Sequence, residues 1–89
     1  MTDLAFQPNP DVVAQRVQDE VVLVNLRTNE IYTLNKTAAR AWELLAEGDD
    51  RASIEAKLTD EFSAEPSAVG GELDVRLDEL LAKELIQRT

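Results

Sequence analysis

Neither cysteine nor histidine occurs among the 89 residues. Without cysteine there is no disulfide, no thiol nucleophile and no cysteine-bearing zinc site. Without histidine there is no imidazole to activate a hydroxyl, and the three serines, Ser53, Ser63 and Ser67, stand in no nucleophile motif. No glycine-rich phosphate loop is present, because Gly70-Gly71 precedes no Lys-Ser/Thr pair. Long apolar runs are missing too. The longest strictly apolar stretch, Val21 to Val24, is far too short to span a bilayer. The start, Met1-Thr2-Asp3-Leu4, lacks the basic and apolar regions of a secretory signal, so a cytoplasmic location is the expectation. Positive charge is scarce: 9 Lys+Arg face 18 Asp+Glu, for a net charge of -9. Nucleic-acid affinity comes largely from cations neutralising phosphates, so this balance argues against a nucleic-acid partner.

The remaining composition, 44% hydrophobic and 30% charged, is that of a folded chain, and its length allows one domain. Pro8-Asn9-Pro10 reads as a turn or extended signal, so residues 1–10 are expected to form a flexible N-terminal arm and residues 11–89 a single domain. From Val12 the pattern predicts three strands: Val12 to Gln18, Val21 to Leu26 and Ile31 to Leu34. Asp19-Glu20 supplies the first turn. Arg27 to Glu30 supplies the second, with Asn29 as its left-handed residue. Short connections make this an antiparallel meander with the third strand on an edge.

Three helices follow. Asn35 is the expected N-cap of the first, whose stripe is Ala38, Ala41, Trp42 and Leu45 and whose stop is Gly48. Asp50 caps the second, with Ile54, Leu58 and Phe62 on one face. Pro66 opens the third, which carries Val69, Leu73, Leu77, Leu80 and Leu81, and Leu85-Ile86 packs back after it. Gly70-Gly71 weakens that helix, or marks a late start or a close backbone approach. The expected fold class is α+β: a three-stranded antiparallel sheet followed by three helices, in the style of a winged helix-turn-helix.

The acidic side chains read first as solvated helix faces, including Asp74, Asp78 and Glu79, and Glu43 with Glu47. A metal site from Asp49, Asp50 and Asp60 has no motif spacing, and Asp50 is better used as a cap. No cofactor is implied. Trp42 and Tyr32 read as core. Arg76 sits beside the stripe of the third helix, either paired with Glu72 or Glu79 or placed at the rim of a groove. Glu30-Ile31-Tyr32-Thr33-Leu34 is an edge with no proline and one charge, open to an added peptide strand unless the N-terminal arm covers it.

Val21-Val22-Leu23-Val24-Asn25-Leu26, Tyr32-Thr33-Leu34-Asn35 and Ala38-Ala39 leading to Trp42, followed by Ile54, Leu58, Leu77, Leu80, Leu85 and Ile86, form an ordered set. It resembles the PqqD-like family, stand-alone recognition elements for ribosomally made precursor peptides, and most of all the leader-binding proteins of lasso peptide biosynthesis. The likeness runs from about Val12 to near the C-terminus. The departures are Asn29 and Glu84, where the family often has glycine, and Arg76, where it commonly has an apolar or aromatic residue.

The resemblance implies a non-enzyme that binds a precursor leader peptide. The leader would add as a strand to Glu30, Ile31, Tyr32, Thr33 and Leu34. Its side chains would enter a cleft walled by Val69, Leu73, Arg76 and Leu77 of the third helix. The implied partners are a separate leader peptidase and cyclase, with no nucleic acid and no membrane, and a monomer or weak homodimer as the state. The competing readings are a winged-helix regulator binding DNA and, less supported, an enzyme. Residues 66–89 carry Glu72, Asp74, Asp78, Glu79 and Glu84 against Arg76, Lys83 and Arg88, an acidic excess that disfavours the DNA reader.

Overall fold

Two tight turns fold the β-branched segment onto itself. In the computed structural model, which describes residues 5–88, strands β2 (Val12–Val17), β3 (Glu20–Asn25) and β4 (Glu30–Leu34) form an antiparallel sheet in the order β2-β3-β4. The first turn is Gln18-Asp19, one residue earlier than expected, and Gln18 takes a positive φ of 58°. A two-residue hairpin needs a positive φ at its first position, and glutamine does not advertise one. The second loop closes on Asn25 and Glu30, with Asn29 left-handed at φ 63° as read from the sequence. Alternation along β3 buries Val21, Leu23 and Asn25 and leaves Val22 and Val24 half-buried on the outer face.

The helices are α1 (Lys36–Ala46), α2 (Arg51–Phe62) and α3 (Pro66–Ala82). Their starts are chemical. Asn35 Oδ1 accepts from the Ala38 N–H at 3.0 Å, and Asp50 Oδ1 accepts from the Ser53 N–H at 2.8 Å. Pro66 occupies the first turn of α3, where its missing N–H loses no intrahelical bond. Gly48, at φ 101°, follows the end of α1. Leu23 and Leu34 from the sheet meet Leu44, Leu45 and Trp42 of α1, Ile54 and Leu58 of α2, and Leu73, Leu77 and Leu80 of α3 in one buried core. The result is the α+β, winged-helix-like plan of three strands and then three helices.

The chain ends depart from expectation. Phe6–Pro8 forms β1 and pairs antiparallel with β5 (Ile86–Arg88), and Phe6 is buried in the core. Residues 6–8 are therefore part of the fold rather than a loose arm, because Phe6 removes a large apolar side chain from water. Residues 1–4 lie outside the described residues. In this small sheet residues 6–8 pair with β5 and not with β4.

One buried polar group holds the hairpin to the helices. Asn25 is fully buried, and its Oδ1 accepts from the N–H groups of Arg27 at 2.9 Å and Thr28 at 3.3 Å. Its Nδ2 donates to the Glu84 carbonyl at 3.1 Å, just past α3. No helix among the described residues is long and apolar enough to cross a membrane.

Candidate functional site

Among the described residues, β4 has β3 on one side and no strand on the other. Its side chains alternate in the usual way. Tyr32 and Leu34 point inward, half-buried and buried, while Ile31 and Thr33 are exposed on the outer face and Glu30 is exposed at the hairpin end. Leu34 is sealed in the core, so its side chain is closed to a ligand.

α3 forms the facing wall. Arg76 Nη1 donates to the Tyr32 hydroxyl at 3.3 Å and to Glu79 Oε1 at 3.2 Å. Arg76 thus pairs with Glu79 on its own helix, and it also contacts Tyr32 and borders a cavity. Lys83, one turn past Glu79, places its Nζ 5.5 Å from the centroid of the Tyr32 ring. Tyr32 is therefore held between two cations, Arg76 of α3 at its hydroxyl and Lys83, just past the end of α3, over its face.

Beside Arg76 the wall opens into a cavity of about 230 Å³. Its floor is apolar: Ala38 and Ala41 of α1, Leu58 and Phe62 of α2, Val69 and Leu73 of α3. Asn35, Glu72 and Arg76 edge it with polar atoms. The two alanines make the room, since any larger residue there would fill it. Val69, Leu73 and Arg76, three of the residues proposed for the helix side, line this one cavity. Leu77 does not join them. It is buried in the core and is not part of this cavity's lining, because its position on α3 faces the interior. From the sequence Ala38, Ala41 and Phe62 read as helix-stripe residues and Lys83 only as a surface charge, so none is assigned to the groove. Only the long-range packing of three helices brings them to the groove.

Charge elsewhere is locally satisfied. Arg51 bonds Asp74 at 2.6 Å and Glu55 at 2.8 Å, and Arg40 bonds Glu61 at 2.9 Å. These pairs hold the Asp74 and Glu61 carboxyls below their ordinary values, first through the arginine hydrogen bond in each case. Asp49 pairs with Lys57 at 2.8 Å, and Asp50 caps α2, so both acids are already engaged.

The family model described as coenzyme PQQ synthesis protein D (PqqD) matches residues 20–86. The chain belongs to the PqqD family. Two solved structures share its fold. One, TbiB1 in complex with the TbiA(beta) leader peptide, is 32% identical, with a TM-score of 0.87 over 91% of this chain and 94% of that one. The other, a lasso peptide synthetase B1 complexed with the leader peptide, is 23% identical, with a TM-score of 0.84 over 92% of this chain and 96% of that one. No curated protein matches the sequence. Both positions where PqqD-like chains often carry glycine have positive φ here, 63° at Asn29 and 58° at Glu84. A left-handed backbone accounts for the glycine preference at both, and Asn tolerates it better than Glu.

Proposed function

We propose that the protein binds the leader region of a ribosomally synthesised precursor peptide, as a strand added to β4 with side chains entering the groove beside α3. It then presents the precursor to a separate leader peptidase and cyclase. The observation that carries the reading is a β4 edge, unpaired among the described residues, that is joined through Tyr32 to Arg76 of α3, which in turn borders an apolar cavity. An added strand gains main-chain hydrogen bonds from any sequence, and pockets beside it supply selectivity. Similarity to a TbiB1 structure that contains a leader peptide supports the same reading. Tethering raises the precursor's effective concentration at the enzymes, so this chain needs no catalytic side chain of its own. The DNA-regulator reading gains nothing from the structure: Glu72, Asp74 and Asp78 are all exposed on α3.

The test is an amide-shift titration with the leader peptide encoded beside this gene. Shifts should concentrate at Ile31, Thr33 and the α3 segment from Val69 to Arg76. Val69→Glu puts a charge into the cavity at a half-buried position, and it should weaken binding about tenfold or more while the circular dichroism stays native. Saturating leader that leaves these amides unmoved would sink the reading.

A further inference from the structure

The free edge of β4 has a fixed phase. The Leu26 N–H donates to the Asp11 carbonyl at 2.9 Å, in register with the β2–β3 ladder. Hydrogen-bonded pairs recur at every second residue of an antiparallel ladder, so Val13–Val24, Gln15–Val22 and Val17–Glu20 are the bonded pairs. β3 then turns the backbone groups of Val21, Leu23 and Asn25 toward β4, where they meet Leu34, Tyr32 and Glu30. By the same alternation, the N–H and C=O groups of Ile31 and Thr33 point off the free edge. A strand that bonds to them sets its residues level with Ile31 and Thr33 on the outer face, whichever way it runs. Its residues level with Tyr32 and Leu34 face the groove.

The outer face at that level is apolar. Ile31, 69% exposed, continues the row Val13–Val24 across the sheet, and Val13 is 51% exposed. Edge strands are commonly guarded by charge or proline, and an isoleucine at the middle of an open edge is the reverse of a guard. We propose that Ile31 is a specificity-determining residue. It reads an aliphatic side chain of the bound peptide on the outer face of the sheet, opposite the groove. The substrate class is then an extended peptide that is apolar on both faces at adjacent levels: inward toward the cavity and Tyr32, outward against Ile31. This rests on the strand-addition reading above. A directly opposed cross-strand pair of this kind changes affinity by up to about fivefold.

The test selects binders from a displayed library of random peptides, once with the natural chain and once with Ile31→Lys. Ile31 is exposed, so both chains should give the same circular dichroism, and Ile31→Thr serves as a mild second variant. The expected result is an aliphatic preference at one peptide position that turns to Asp or Glu with Ile31→Lys. The groove-facing positions on either side should keep their preferences, and Ile31→Thr should cost up to about fivefold in affinity for the selected aliphatic peptide. Selected peptides that shift the β4 amides but show no change of preference with Ile31→Lys would overturn the role of Ile31 and leave strand addition standing. Selected peptides that shift no β4 amide would overturn both.

Discussion

Arg76 Nη1 reaches across from α3 to the hydroxyl of Tyr32 on the edge strand, at 3.3 Å. This bond ties the two walls of the groove together at the cavity rim, because Arg76 also borders the cavity. Tyr32→Phe removes the hydroxyl and keeps the ring. Arg76 retains Glu79 and solvent, so the stability loss should be about 1 kcal/mol or less. Arg76→Ala should cost a similar amount. In a double-mutant cycle by urea denaturation, the two losses should fall short of additivity by about 0.5 kcal/mol or more. Strict additivity would mean that the bond does not hold the walls.

Asn25 makes a larger prediction. Its side chain satisfies two loop N–H groups and the Glu84 carbonyl from a fully buried position. Asn25→Ala strands the two loop N–H groups and leaves the Glu84 carbonyl only its bond from Asn9 Nδ2 at 3.0 Å, so it should lower stability by about 1–3 kcal/mol. Asn25→Asp keeps the acceptors but loses the donor to Glu84 and buries a charge, so it should be no better. Denaturant midpoints measure both. An alanine variant as stable as the parent would show that water replaces the amide.

The paired glycines of α3 should behave differently. A Cβ at Gly71 meets nothing within 4 Å, so Gly71→Ala should stabilise the helix by about 0.5–1 kcal/mol. A Cβ at Gly70 would sit 2.7 Å from Glu55 Oε1, on the side where Arg51 bonds the Gly70 carbonyl at 3.2 Å. Gly70→Ala makes Glu55 swing away from Arg51 and should gain less, or lose. Equal melting-temperature gains for the two variants would contradict the close approach between α2 and α3.

Much of this was legible because it is local. The caps at Asn35 and Asp50, Pro66 at the start of α3, and the stripes of the helices depend on neighbours within a turn or two. The edge position of β4 followed from short connections. Of the three options open at Gly70-Gly71, the late start is removed because α3 runs from Pro66, and the nearest neighbours of a Gly70 Cβ are the side-chain ends of Glu55 and Arg51 rather than backbone. What escaped depends on residues far apart in the chain. β1 and β5 are three residues each and join opposite ends of the sequence, so neither carries a periodic signal. The seat of Lys83 over Tyr32 and the cavity above Ala38 and Ala41 exist only once α3 lies along the sheet and α1. Leu77 was misread because a stripe shows which face of a helix is apolar. It does not show where along that face the core ends and the groove begins.

Acid should unfold the protein earlier than its aliphatic core alone would suggest. Arg51 and Arg40 lower the carboxyl values of Asp74 and Glu61 in the folded chain, from ordinary values of 3.8 and 4.5. A group with a lowered folded value contributes its stability above the unfolded value and loses it as pH falls through the folded one. The contribution is therefore complete near neutrality, begins to fade as pH approaches the unfolded values of 4.5 for Glu61 and 3.8 for Asp74, and is lost as pH falls through the lowered folded values. With no histidine in the chain, urea midpoints should stay nearly flat from about pH 6 to 8. Asp74→Asn should be less stable at neutral pH and should converge on the parent in acid. A gap between them that persists unchanged to the lowest pH would show that the Arg51–Asp74 pair does not carry the acid dependence.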